Sequence, residues 1–338
     1  APLAASLSAL PAESRRFFSD LVSEGQGEGS TRLRFSFAAA CLPDPIKVAT
    51  GGEDGYFACP ERRAFGIADG VGGSARNGVD PGEFARCLLR NSLDVIGAAP
   101  QGEEADLQEA LLTSIQKLHE VQLQGASTAL LGQLTGNTMS ILNLGDSGAI
   151  LLRPVLRLSP GSGEPLLFPR VIFRSSNQCR SFNCPYQLRH NSPIQAPDLV
   201  RVRVRTGDLV VAATDGVFDN LFDHQVQEIV AQHLGGAWRS GGAVGPHLQG
   251  LATDIAEQAQ RIGLQQGQED VITPFALAAR SAGLDFGGGG KLDDTSVVVG
   301  LVCGADDDSS TGTGCDGALL LHNFERARPI TLAAAAPQ

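Results

Sequence analysis

Five acidic spots in this chain share one local arrangement. Glu53-Asp54, Asp69, Asp146, Asp215 and Asp293-Asp294 each stand at the start or end of a strand-like apolar run, four of them beside a glycine or a tight turn. In "FGIADGVGG" the run stops on Asp69 and is followed by Gly70, Gly72 and Gly73. "LVVAATDGVFDN" repeats the event at Asp215-Gly216, and Asp54-Gly55 is a third such pair. One Asp-Gly pair reads as a turn. Repeated along one chain, the pattern suggests acids projecting from a common edge of packed sheets. Divalent metal chemistry asks for that arrangement, because Mg²⁺ and Mn²⁺ take oxygen ligands in octahedral geometry and keep several waters. Glycine beside a ligand lets a backbone carbonyl or a substrate come close. Two metals about 3.5–4 Å apart can hold a bridging hydroxide and clamp a phosphoryl group for in-line attack.

The periodicities say what carries these acids. "TRLRFSFAAACL" reads as a first strand, and "YFACPERRAFGIADG" as a hairpin turning around Pro60–Arg63. "DPGEFARCLLRNSLDVIG" begins a helix, with Asp80 as cap, Pro81 in the first position and Glu83 completing a capping box. A second helix is expected over about 104–123, where Leu107, Leu111, Ile115 and Leu118 form a stripe. "STALLGQL", "TMSILNLG", "GAILLR", "RVRVR", "LVVAAT" and "DTSVVVGLVCG" are strand-like; "DHQVQEIVAQHL", "ATDIAEQAQRI" and "TPFALAARSAG" are helical. Strands in consecutive hairpins with helices in pairs do not fit a regular βαβ alternation; they fit antiparallel sheets covered by helices. Residues 1–30 read as a lead-in with a helix starting near Pro11, 154–200 as an irregular insertion, and 305–338 as a low-complexity linker and tail.

Composition narrows the function. The 338 residues carry a formal net charge of −11, and the isoelectric point is about 5.0. A general nucleic-acid binder needs a basic surface, so that class is disfavoured. No run of 18 apolar residues appears, so no membrane span is expected. Seven scattered cysteines do not form a disulfide framework, and Cys179, Cys184 and His190 give no zinc pattern. An intracellular, reducing compartment is the natural reading. Any targeting signal is expected to have been removed before Ala1. No contiguous acidic loop of EF-hand type is present.

The segments "EDGYF", "FGIADGVGG", "GASTALL", "NLGDSGAILLR", "VVAATDGVFDN" and "KLDDTSVVV", in this order between about Thr31 and Gly304, resemble the motifs of the metal-dependent Ser/Thr protein phosphatases of type 2C. The wording of "GEDG", "CPYQL" and "ATDGVFDN" is most similar to the short single-domain branch found in mitochondria and plastids. The resemblance implies an α+β fold, an αββα sandwich of two antiparallel sheets between helix layers. It makes 31–304 a phosphatase domain in which the insertion 154–200 is a flap beside the site. It implies Mg²⁺ or Mn²⁺, two ions with a third held more weakly, a phosphoprotein substrate and a monomer. Residue by residue, Asp69 bridges both ions with help from the Gly70 carbonyl, and Glu53 and Asp54 flank the pair. Asp215 and Asp293 complete the second ion, and Asp146 with Asp215 holds the third. Asp69 and Asp54 are then the catalytic carboxylates, Asp294 stands behind the ligands, and Ser127-Thr128 is structural. The reaction implied is hydrolysis of phosphoserine and phosphothreonine by in-line attack of a metal-bridging hydroxide.

Two departures stand out. Val71 occupies a position where the family often has a histidine that helps protonate the leaving group. The family's phosphate-binding arginine shortly before the Glu-Asp pair is also absent from "DPIKVATGGEDG", where Lys47 is the nearby cation and Arg62 or Arg63 the substitute. The alternative function is therefore a pseudophosphatase, a scaffold that binds a phosphoprotein without turnover. Mitochondria or plastids follow from the resemblance, with the cytoplasm as the other compartment.

Overall fold

The structure is a computed structural model describing residues 33–73, 79–100, 102–158, 165–190, 192, 194–240, 242–304 and 320–321. The expected helix near Pro11 and the tail beyond residue 321 lie outside these. The chain opens with β1 (Arg34–Leu42) and the hairpin β2 (Asp54–Cys59) and β3 (Ala64–Asp69), followed by α1 (Pro81–Ala98) and α2 (Leu107–Glu120). Next come β4 (Ala126–Ser127), β5 (Ala129–Thr135), β6 (Thr138–Leu144), β7 (Gly148–Leu158) and β8 (Pro165–Arg174). Three short strands, β9 (Cys179–Ser181), β10 (Cys184–Pro185) and β11 (Leu188–Arg189), lead to β12 (Asp198–Arg203) and β13 (Leu209–Ala213). Then follow α3 (Asp215–Phe218), α4 (Asp223–Ser240), α5 (Leu248–Gly263), α6 (Pro274–Ser281), β14 (Thr295–Cys303) and β15 (Leu320–Leu321).

Two antiparallel sheets form the centre. One has the order β1-β14-β13-β7-β8 and the other β12-β6-β5-β3-β2-β15. The two-residue period of a strand sorts side chains between three apolar layers. On β14, Val297, Val299 and Leu301 pack against α4 and α5, while Val298 and Val302 point between the sheets. On β3, Ala64 and Ala68 face α1 and α2, and Phe65 and Ile67 face the other sheet. Both faces of each central strand are therefore buried, which makes the αββα sandwich a four-layer molecule.

The helices follow their sequence signals. Asp80 accepts from the backbone N–H groups of Gly82 and Glu83 at the start of α1, which satisfies two of the donors a helix start leaves open. Helix α2 is shorter than its periodicity, because Asp106 caps it and Gln122 takes a φ of 55° just past its end. Residues 154–158 and 165–174 differ from the irregular segment expected: the first continue β7 into a long antiparallel pairing with β8, in which Pro154 lies opposite Pro169. β8 is the edge strand of its sheet, where a proline's missing N–H costs no ladder bond.

Candidate metal centre

The β2–β3 pairing sets the first acids side by side, with Asp54 opposite Asp69 in register. Asp69 is held by its backbone: its N–H donates to Thr128 Oγ1 at 3.0 Å, and its carbonyl accepts from Thr128 N and Ser127 Oγ, both at 2.9 Å. Thr128 Oγ1 also pairs with Ser147 Oγ at 2.9 Å, so one hydroxyl ties the Asp69 strand end to the Asp146 turn. The Ser-Thr motif thus holds the Asp69 backbone from both sides. Gly70 follows because there is no room for a side chain: a Cβ there would lie 2.4 Å from the Pro81 carbonyl oxygen and 2.7 Å from that of Glu53.

The second sheet brings the other acids. Thr214, at the end of β13, donates from Oγ1 to Asp54 Oδ2 at 2.9 Å and accepts from Ser296 N at 3.1 Å. It links one acid of the first sheet, Asp215 beside it and the start of β14. Asp294 accepts from Asp44 N and Glu53 N, each at 2.7 Å, so it clamps the turn before Glu53 rather than facing the cluster. A Cβ on Gly216 would sit 2.0 Å from the Asp294 carbonyl oxygen, which explains the second Asp-Gly.

Carboxylate oxygens of Asp69, Asp146 and Asp215 lie within 4.8 Å of one another. Asp146 is 7% exposed, and its Oδ1 is buried without a hydrogen-bond partner. An orphaned anionic oxygen costs several kcal/mol unless a cation satisfies it. Burial, with Asp215, Asp54 and Asp293 adding to it, holds the Asp69 carboxyl well above the usual range. Burial and the charges of Asp294 and Asp293 do the same to Asp54. Asp146 is pushed up to about 7 by burial and Asp215. At Asp293 burial is outweighed by Lys291 and Lys47, and the carboxyl is held low. This is the electrostatics of a cluster of like charges short of cations. The donor set is all oxygen, which fits hard divalent ions such as Mg²⁺ and Mn²⁺.

Of the residues singled out in the sequence, the structure brings Glu53, Asp54, Asp69, Asp146, Asp215 and Asp293 into one connected network, with Gly70 in its wall. Lys47 is there too. Its ammonium lies 2.6 Å from Glu53, 3.1 Å from Asp293 and 3.3 Å from Asp294. Arg62 is not. It sits at the turn of the β2–β3 hairpin, beyond the far ends of two six-residue strands that carry Asp54 and Asp69 at the other end, roughly 17 Å or more away, and its guanidinium donates to the Ala99 carbonyl at 2.8 Å. The expectation that it binds substrate phosphate does not match this position. Two participants escaped the sequence reading. Lys291 bonds to Asp215 and lies 2.9 Å from Asp219 and 3.5 Å from Asp293. Asp219 stands four residues after Asp215, one helical turn on, a spacing that could have revealed it. Among the described cysteines, Cys41, Cys59, Cys87, Cys179 and Cys184 form no disulfide. Cys303 is disulfide-bonded, a departure from a fully reduced set.

Comparison with known proteins agrees with the geometry. No family model matches the chain. Over 274 residues it is 33% identical to the putative protein phosphatase 2C 24 of Oryza sativa subsp. japonica, covering 80% of this chain and 77% of that protein. It is 33% identical over 268 residues to the protein phosphatase PTC7 homolog fig of Drosophila mojavensis, covering 74% and 78%. It is 35% identical over 275 residues to the probable protein phosphatase 2C 55 of Arabidopsis thaliana, covering 80% of this chain but about half, 52%, of that longer relative. The fold is similar to the X-ray structure of the photosystem II phosphatase PBCP, with a TM-score of 0.61 at 24% identity over 79% of this chain and 98% of that one. It is also similar to the catalytic domain of the serine threonine protein phosphatase PstP, solved with 2 manganese ions, with a TM-score of 0.53 at 19% identity over 80% and 99%. The chain belongs to the protein phosphatase 2C family.

Proposed function

We propose that this chain is a metal-dependent protein phosphatase that hydrolyses phosphoserine and phosphothreonine. The observation that carries the reading is the meeting of Asp69, Asp146 and Asp215 oxygens at the shared edge of the two sheets, with a buried Asp146 oxygen left unpartnered. Two Mg²⁺ or Mn²⁺ ions held by Asp69, Glu53, Asp54, Asp215 and Asp293 would lower the pKa of water and neutralise the phosphoryl oxygens. The chain supplies the frame for this. Thr128 fixes Asp69, Thr214 fixes Asp54, and Asp294 fixes the backbone of Glu53. Lys47 is the cation nearest the acids on the Glu53 side, and in this reading it turns to the substrate phosphate. Residues 31–304 form the phosphatase domain, and its flap is the segment between β8 and β12 rather than all of 154–200, because β8 and β12 belong to the two central sheets. The likeness to the PTC7 homolog supports placing the chain in the mitochondrial and plastid branch.

The pseudophosphatase reading is favoured by one observation: the Lys47 ammonium is already engaged by three carboxylates. The two readings part in a single assay of phosphate release from a phosphothreonine peptide, with Mn²⁺ and with EDTA. Turnover that requires Mn²⁺ supports the enzyme. Peptide binding without release supports the scaffold.

A further inference from the structure

Lys291 is the most enclosed ammonium near the metal centre, and nothing in the proposed chemistry uses it. Its side chain is 18% exposed and bonds to Asp215 Oδ2, with Asp219 Oδ2 at 2.9 Å and Asp293 Oδ2 at 3.5 Å. The backbone beneath it is clamped. Lys291 N donates to Asn220 Oδ1 at 2.9 Å, and Asn220 Nδ2 donates to the Lys291 carbonyl and to the Gly216 carbonyl, both at 2.8 Å. Asn220 thereby locks Lys291 to the short helix that carries Asp215 and Asp219. The Phe275 ring, 5.5 Å from Nζ, walls the other side.

An ammonium and a divalent ion compete for the same carboxylate oxygens. Asp215 offers two, and Lys291 holds Oδ2. An ion beside Asp146 that also drew on Asp215 and Asp219 would have to displace an ammonium already paired with three acids. That exchange is costly in a partly buried site, because it breaks the lysine's pairing with all three acids at once. Lys47, whose side chain is 22% exposed, differs in standing on a turn whose neighbours Ile46 and Val48 are 85% and 60% exposed.

We propose that Lys291 is a built-in cation that occupies one ion position of the acidic site, formed by Asp215 and Asp219 next to Asp146, so that the chain binds one divalent ion fewer than its carboxylates could hold. The proposal rests on the reading of this cluster as a divalent-metal site. With two ions as the working complement, Lys291 takes the place of the third.

Equilibrium dialysis with Mn²⁺ counts the ions directly, using the full chain purified in Mn²⁺. The wild type should saturate at two per chain. Lys291→Met, which keeps the length of the side chain but not its charge, should saturate at three. Lys291→Arg should stay at two. Lys291→Met with Asp219→Asn should return to two, because the extra ion loses a ligand. A second measurement needs no metal: in EDTA, Lys291→Met should melt below wild type, since Asp215, Asp219 and Asp293 lose their counter-ion, and added Mn²⁺ should restore it. Two ions in both wild type and Lys291→Met, or three in the wild type, would overturn the role of Lys291 and leave the metal site standing. No Mn²⁺ bound by the wild type would overturn the metal site and this inference together.

Discussion

At the scale of single residues, the site is an economy of shared hydroxyls and shared acids. Burial disfavours the ionised form of Asp69, and the charges of Asp215, Asp54, Asp293 and Asp146 add to it. Asp69→Asn should therefore lower turnover about a thousandfold, about 4 kcal/mol of transition-state stabilisation. The same variant should melt higher than wild type in EDTA, because one repelling charge is gone. Turnover above a tenth of wild type would refute its role. Thr128 is a positioning residue with a different signature. Its Oγ1 accepts from Asp69 N and pairs with Ser147, so Thr128→Val, at a fully buried position, removes a partner from both. Urea unfolding should show a loss of about 1–3 kcal/mol, and Mn²⁺ affinity should fall with it. A variant as stable as wild type would mean that the hydroxyl network is not what fixes Asp69.

At the scale of elements, two glycines with opposite surroundings make a paired test. A Cβ on Gly216 would lie 2.0 Å from the Asp294 carbonyl, whereas one on Gly236 in α4 would meet nothing within 4 Å. Gly216→Ala should cost about 1–3 kcal/mol or more, as overpacking against backbone does, and should weaken Mn²⁺ binding by pushing α3 away from the β14 entry. Gly236→Ala should gain up to about 1 kcal/mol, the helix-propensity difference. Calorimetric melts of both variants decide the matter; equal shifts would contradict the packing described. The elements also show why some of the structure was legible in the sequence. The α1 start was readable because Asp80, Pro81 and Glu83 stand in sequence, and the β2–β3 hairpin because its apolar run ends on an acid. β8 was hidden because Pro165 and Pro169 mark a segment as loop, and only an edge position with Pro154 opposite reconciles them with a strand. Lys291 was hidden because its partner Asp219 lies 72 positions earlier in the chain, a proximity that no local pattern encodes, whereas Asp219 carried a local signal, its one-turn spacing from Asp215. Arg62 misled for the converse reason: it is close in sequence to Asp69 but at the other end of the hairpin.

At the scale of the whole molecule, the acids at the sheet edge make metal-free stability depend on pH in a defined direction. The carboxyls of Asp54 and Asp69 are held above their ordinary values, and those of Asp146 and Asp219 are pushed from 3.8 to about 7. For Asp219 burial is the larger cause, partly offset by Lys291. Between pH 3.8 and about 7 the folded chain therefore binds more protons than the unfolded chain. Stability from these groups is present below the unfolded value and is lost as pH rises through the folded value. Melting in EDTA should lose this contribution from about pH 4 to 7, and saturating Mn²⁺ should flatten the loss, because the metal replaces the protons. A melting temperature that does not change on adding Mn²⁺ at pH 7.5 would contradict that linkage. The central claim is that these carboxylates converge to hold divalent ions rather than to cap turns. Titration calorimetry of Mn²⁺ into wild type and Asp69→Asn, in buffers of different ionisation enthalpy at pH 6.5, tests it most directly. The account predicts tight binding with release of protons in the wild type and loss of the tight isotherm in Asp69→Asn; an unchanged isotherm in the variant, or binding without proton release, would contradict it.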